Sequence, residues 1–366
     1  MMFKRKLYVL LGIAAAVFLV MLASQSVHTK HYLPVSLVQF NSWTVATSRE
    51  MEDKLADLTR LPPDTIRFEE EEENKEVQFQ EENNPRSCGC TESCVSDLKG
   101  SDWFSEHYDP QQQPILHPDN NFEQEALEWW LKLQQSGKDQ TLEGEMSKMF
   151  QVFPPPTVDT NPHPSRCRKC AVVGNSGNLQ NSGHGELIDS YSFVIRMNKA
   201  VTRGFEKDVG NRTTHHIMYP ESAVDVGPGV SLILLPFKLR DLEWLTSALS
   251  TGEVKMTYMR VKERVKADKD KVLVVNPVFF KYVHDRWTEH HGRYPSTGML
   301  TIIFALHICD QVSVFGYGAD QQGNWHHYWE KNRYAGAFRK TGVHSADFES
   351  EVIHQLAKEG KITLHL

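Results

Sequence analysis

The chain has 366 residues, 24% of them charged and 40% in the hydrophobic set, with a formal charge of -7. That composition excludes a wholly disordered chain, a collagen and a multi-span membrane protein, and the acidic balance argues against a nucleic-acid footprint. The length admits one large domain or two small ones.

Residues 1–6 carry Lys4, Arg5 and Lys6 and read as a cytoplasmic tail. Residues 7–23 then run without a charge. Such a run is at the short end of a bilayer span, roughly 17–25 residues, and longer than a signal-peptide apolar region, roughly 7–15. The basic flank keeps the N-terminus cytoplasmic, so this segment is expected to be a transmembrane signal anchor with the rest of the chain across the membrane. A cleaved signal peptide is the plainer alternative. A short span suits the endoplasmic reticulum or Golgi. Residues 24–86 hold Pro62-Pro63 and the run Glu69 to Glu73. A like-charge block of this kind is solvated and extended, and the segment is expected to be an acidic flexible stem.

The folded part is expected over 87–366. The cysteines are Cys88, Cys90, Cys94, Cys167, Cys170 and Cys309. In an oxidising lumen, disulfides are favoured over zinc, because Cys167-Arg-Lys-Cys170 has no second C-x-x-C unit to complete a site. Asn211-Arg-Thr213 is the one glycosylation sequon. Glu123 to Leu133 has helical spacing, and the prolines at 154–156 and 162–164 break the chain after it. Short apolar runs then read as strands: 171–173, 192–197, 230–236, 271–275 and 311–317, with a buried helix over 299–307. Alternation of this kind predicts an α/β fold with a mostly parallel central sheet covered by helices on both faces.

Ligands of such sheets sit at the carboxyl ends of the strands. Two polar turns belong there. Gly174-Asn-Ser-Gly177 follows the first strand, yet it is neither a dinucleotide fingerprint nor a P-loop. Pro295-Ser296-Thr297-Gly298 precedes the apolar helix, where its amides can cap the helix or attract an anion. The C-terminal hundred residues are rich in histidine, but no H-E-x-x-H is present. Histidine instead has the intrinsic pKa for general-base work. Asp268-Lys-Asp270 has the D-x-D form of a metal-binding pair, within a charged stretch that reads as a solvated turn.

Four stretches in order carry a family likeness. Cys170 to Gly185 with Arg196-Met-Asn198 resembles the large motif of eukaryotic sialyltransferases, glycosyltransferase family 29. Asn276 to Gly318 resembles the small motif, His327-Tyr-Trp-Glu330 the third, and His344 with Glu349 the very small motif. The wording is most similar to the β-galactoside α-2,3-sialyltransferases of types 1 and 2. Ser345 departs from the expected aspartate while leaving His344 and Glu349 in place.

The resemblance implies a single-domain variant GT-A, Rossmann-like fold after an N-terminal transmembrane helix and stem, in a type II Golgi membrane protein. It implies transfer of sialic acid from CMP-N-acetylneuraminate to the galactose 3-OH of Galβ1-3GalNAc on glycoproteins or glycolipids, with inversion and without a metal or other cofactor. A homo-oligomer and a cleaved soluble form are compatible with it. It assigns His344 as general base and His327 as the partner of the CMP phosphate. Donor contacts fall on Asn175, Ser176, Asn198, Tyr219, Ser222, Ser296, Thr297, Gly298, Gly316 and Gly318. Gly316 and Gly318 are expected to allow close approach of the cytidine. Acceptor contacts fall on Gln134, Tyr258, Tyr294 and Trp325. The implied disulfides are Cys88–Cys94, Cys90–Cys167 and Cys170–Cys309. Three rival readings are a metal-dependent GT-A transferase using Asp268 and Asp270, a non-catalytic glycan-binding protein of the secretory pathway, and a membrane-tethered scaffold working through its acidic stem.

Overall fold

The computed structural model describes residues 87–134, 140–320, 325–331 and 342–366. The expected tail, anchor and stem lie outside the described residues. Among the described residues no helix is long and apolar enough to cross a membrane.

Seven strands form one sheet: β1 (Lys169–Val173), β2 (Phe193–Met197), β3 (His215–Met218), β4 (Ser231–Leu234), β5 (Val272–Val274), β6 (Gln311–Phe315) and β7 (Thr363–His365). Their order is β5-β4-β3-β2-β1-β6-β7, and every pairing is parallel. Helices in chain order are α1 (Asp102–His107), α2 (Gln124–Leu131), α3 (Leu142–Val152), α4 (Gly185–Asp189), α5 (Glu206–Val209), α6 (Leu239–Ala248), α7 (Pro277–Tyr282), α8 (Thr297–Ile308) and α9 (Ala346–Lys358). The expected α/β class with a parallel sheet is what the chain forms.

Side chains alternate across a strand, and the two faces of β1 enter different packing groups. Cys170 and Val172 join the large core with Ile195, Val312, Val314 and α8, whereas Ala171 and Val173 join Val194, Phe315, Ile188, Val209 and Tyr328 on the other face. Every residue of α8 from Met299 to Ile308 is buried, as expected for a helix that is apolar all round.

The apolar runs read as strands are β1, β2, β4, β5 and β6; β1 begins two residues earlier than expected, at Lys169, and the others are trimmed at one or both ends. β3 was not visible in the sequence because it opens on two histidines. They are tolerated in the core because burial holds them neutral: His215 is pushed down to about 4 by desolvation, and His216 is lowered by the same cause. The two rings point to different partners. His215 packs against Phe193 at 4.4 Å, and His216 donates to the Asn198 carbonyl at 2.6 Å.

All three disulfides implied by the resemblance are formed: Cys88–Cys94, Cys90–Cys167 and Cys170–Cys309. The last ties β1 to the C-terminal end of α8 across a sequence separation of 139. A cross-link closing so long a loop is worth about 2–5 kcal/mol. Replacing both Cys170 and Cys309 by Ser is therefore expected to lower the thermal midpoint by about 5 °C or more, read by differential scanning calorimetry. An unchanged midpoint would show that the staple stabilises nothing.

Candidate active site

The strand order reverses between β1 and β6, so their carboxyl ends diverge into a crevice. A cleft of about 770 Å³ opens there. Its floor is two turns in contact. A Cβ on Gly174 would lie 2.3 Å from the Gly316 carbonyl oxygen, and one on Gly316 would lie 2.3 Å from Leu179 Cδ1. Gly316 also has φ +69°, in the left-handed region. Packing against Leu179 and the left-handed φ thus require glycine at 316 in their own right, and Gly316 also lines the cleft. Gly318 has nothing within 4 Å of a Cβ position, so close approach remains open there.

Asn175, Ser176, Asn198, Tyr219, Ser222, Ser296, Thr297, Gly298, Gly316, Gly318, Trp325, His327 and His344 all line this one cleft. Asn175 donates from Nδ2 to the Met197 carbonyl at 3.1 Å, which fixes its amide and leaves its buried Oδ1 without a hydrogen bond. Asn198, held at φ +58°, likewise has a buried Oδ1 that accepts nothing. An unsatisfied buried acceptor costs about 1–3 kcal/mol. Two of them in one cleft mark a place for a ligand with donor groups. Other predicted contacts are already committed locally. Ser176 Oγ donates to the Gly318 carbonyl at 2.7 Å. Ser222 Oγ closes its own turn by accepting from the Tyr219 amide at 3.2 Å.

One wall is the segment around His327. The Tyr328 amide donates to the Asn175 carbonyl at 3.1 Å, and Gln180 Nε2 donates to the Tyr328 carbonyl at 2.6 Å, pinning the segment to the β1 turn. His327 stacks on Trp329 at 4.6 Å, and its Nδ1 lies 3.0 Å from Glu330 Oε1. A carboxylate on Nδ1 leaves Nε2 free to donate to an anion when the ring is protonated.

The cleft lining also carries His344. Its Nδ1–H donates to the Tyr294 carbonyl at 2.8 Å, so Nε2 is the lone-pair nitrogen. Burial depresses its pKa below the ordinary histidine value, against a smaller upward pull from that hydrogen bond, and keeps the ring neutral. The strand-like contact that holds it runs through Gly292, at φ +78°, where a Cβ would lie 3.0 Å from His344 Cα. Arg293 donates to the Val343 carbonyl at 2.8 Å.

Ser296 caps α8, its Oγ accepting from the Met299 amide at 3.1 Å. Its amide donates to Glu349 Oε1 at 2.8 Å and its hydroxyl bonds Glu349 Oε2. What remains for an anion at this helix start is the pair of amides of Thr297 and Gly298, which have no acceptor among the described residues.

Three predicted acceptor residues do not line the cleft. Tyr294 packs edge-on against His344 at 5.0 Å. Gln134 Nε2 reaches the Tyr294 hydroxyl at 3.5 Å, and its Oε1 accepts from Lys238 Nζ at 3.0 Å. Tyr258 is exposed, its ring 5.0 Å from Lys238 Nζ. Lys238 is itself buried, 2.7 Å from Asp241 Oδ1 and 3.5 Å from Glu221 Oε1. Glu221, which does line the cleft, joins it to this polar cluster. Sequence reasoning missed Glu221, Lys238 and the Glu330 partner of His327; a basic residue inside an apolar run, Leu235-Pro-Phe-Lys238-Leu, was the available signal. Leu364 and Leu366, at the C-terminal end, also border the cleft. Asp268 and Asp270 do not. They stand just before β5, at the amino ends of the strands, and Asp268 Oδ2 accepts from the Gly229 amide at 2.7 Å. The D-x-D reading thereby loses its geometry. Asn211 is exposed, and its amide donates to Asp189.

Residues 115–361 match glycosyltransferase family 29 (sialyltransferase). The chain is 54% identical over 281 residues to a mouse CMP-N-acetylneuraminate-beta-galactosamide-alpha-2,3-sialyltransferase 2, covering 76% of this chain and 80% of that protein. It is 51% identical over 282 residues to the human sialyltransferase 1 of the same description, covering 76% and 82%. The crystal structure of a mammalian sialyltransferase in complex with Gal-beta-1-3GalNAc-ortho-nitrophenol superposes with a TM-score of 0.70 at 47% identity, over 76% of this chain and 98% of that one.

Glu349 makes stability pH-dependent. Burial raises its pKa from 4.5 to about 7, outweighing the two hydrogen bonds from Ser296. The folded chain thus holds a proton that the unfolded chain loses. The contribution of this group is full below the unfolded value of 4.5 and is lost as pH rises through about 7. Glu349→Gln is expected to flatten that decline, measured as urea midpoints at about pH 5 and about pH 8. A variant whose midpoints fall with pH as steeply as those of the parent would exclude Glu349 as the source.

Proposed function

The chain belongs to glycosyltransferase family 29, the sialyltransferases, and from that premise we propose that it moves sialic acid from CMP-N-acetylneuraminate to the 3-OH of the terminal galactose of Galβ1-3GalNAc, with inversion and without a metal. The chain is an α-2,3-sialyltransferase acting on β-galactosides, as its relatives are named. The supporting observation is that His327, His344 and the orphaned amide oxygens of Asn175 and Asn198 share one cleft at the reversal point of a parallel sheet. We read that sheet as the variant GT-A fold.

In this scheme the donor lies over the β1 and β6 turns. Asn175 Oδ1 and Asn198 Oδ1 accept from its nucleoside hydroxyl or amino groups, and the Thr297 and Gly298 amides face an anionic group of the donor. The galactose 3-OH approaches the anomeric carbon from the side opposite CMP. His344 Nε2 takes the hydroxyl proton as the new carbon–oxygen bond forms. The bond to the phosphate breaks with its electron pair leaving on CMP, and protonated His327, backed by Glu330, stabilises that departing charge. In this scheme the protonated ring does the work that a metal does in other transferases. Gln134, Tyr258, Tyr294 and Trp325 are read as the acceptor side. The three disulfides fit an oxidising lumen, in agreement with a type II Golgi protein.

The test uses the full chain in detergent with CMP-sialic acid and Galβ1-3GalNAc. An α-2,3-linked product should form equally with and without EDTA. His344→Ala should retain CMP binding and lose about 10²–10⁴-fold in kcat. Loss of all activity on chelation would remove the metal-free scheme, and normal turnover by the variant would remove His344 as base. Because its pKa is depressed, the acid limb of kcat/KM for the parent should fall below pH 6.5, the ordinary histidine value. A limb well above that value would point to a different titrating group.

A further inference from the structure

The histidines of the small motif form a second polar cluster that takes no part in this scheme. α7 runs without a break into a wider π turn, Val283–Trp287, which carries His284 and Asp285 on adjacent positions. The wider turn swings neighbouring side chains closer together, and turns of this kind recur at functional sites. Glu289 and His290 then take left-handed backbone angles, φ 45° and 63°, and the His290 amide donates to the His284 carbonyl at 3.0 Å. This bend folds His290 back over the π turn.

One ligand atom from each of His284, Asp285 and His290 lies within 4.8 Å of the other two, and it is the one such cluster among the described residues. His290 Nδ1 stands 3.4 Å from Asp285 Oδ1. Tetrahedral coordination with bonds of about 2.0–2.1 Å spaces its donors by about 3.3 Å. His284 is buried and stacked on Trp129 at 5.0 Å, which fixes its ring. Asp285 divides its oxygens: Oδ2 is held by Lys281, whereas Oδ1 is buried and accepts no hydrogen bond. His290 is exposed, so the cluster has an entry side.

We propose that His284, Asp285 and His290 form a binding site for a divalent transition ion of the zinc class, apart from the donor cleft. Two imidazoles and one carboxylate suit zinc, where magnesium or calcium would require an all-oxygen shell. The neighbouring Lys281 ammonium opposes the ion and leaves Asp285 a single ligand oxygen, so water completes the shell. None of the three residues lines the cleft, which separates this ion from the transfer chemistry.

The full chain, stripped with a chelator and held in detergent without donor or acceptor, is titrated with Co²⁺. One equivalent is expected to produce the visible absorption bands of a low-coordinate cobalt site, which Zn²⁺ then displaces. His290→Ala and Asp285→Asn should each weaken cobalt binding at least about tenfold. His290 is exposed, so its variant should melt as the parent does in the absence of metal. Failure of the parent to give the bands, or bands that survive both substitutions, would overturn the site. No substrate is present, so the result is independent of the transferase reading.

Discussion

The site depends on a steric constraint between two backbones. The turns leaving β1 and β6 approach so closely that Gly174 and Gly316 have no room for a side chain. Because they touch at the base, the residues that follow each glycine lie side by side and line the crevice together. Asn175 and Ser176 come from one turn, Tyr317 and Gly318 from the other. The cross-links between them, Asn178 Nδ2 to the Tyr317 carbonyl at 2.7 Å and Ser176 Oγ to the Gly318 carbonyl, are side chain to backbone. The floor is thus held together by the protein's own hydrogen bonds and close contacts, a fixed geometry of the kind positioning catalysis requires.

The two histidines reach this floor by different routes. His327 rides on a segment hydrogen-bonded to the β1 turn itself. His344 is held from outside the sheet, by the carbonyl of Tyr294 and the backbone beside Gly292, while five residues later Glu349 grips the cap of α8. One helix start, one buried acid and one imidazole are therefore a mechanical unit. The neutral state of His344 and the raised pKa of Glu349 have a common origin in that burial. Burial in this wall both keeps the imidazole neutral and makes the nearby carboxyl reluctant to ionise.

Much of the sheet was legible because strands buried on both faces are written as short apolar runs. β1, β2, β4, β5 and β6 and the uniformly apolar α8 follow that rule. The rule fails for β3, where His215-His216 hides a central strand, and for β7, a three-residue edge strand ending in a histidine. Helices such as α6 and α9 bury one stripe that itself includes an acid, Asp241 or Glu349, so their apolar signal is diluted. In the site, the residue types and their order carried the family likeness. Partnership was not legible: nothing local announces that Glu349 would bond Ser296, that Glu330 would back His327, or that Lys238 would sit buried between Asp241 and Glu221. These pairs are distant along the chain or depend on the bend of a loop. Gly316 shows a related point, since a glycine beside a cleft invites a ligand explanation while its packing against Leu179 is invisible in the sequence.

The border of the cleft formed by Leu364 and Leu366 has a practical side. β7 pairs with β6 in parallel, so it runs toward the crevice and delivers its last residues to the mouth. Any affinity handle or fluorescent fusion joined after Leu366 would start at the rim of this cleft. Handles for purification or imaging belong ahead of the catalytic region, where they leave the entrance clear.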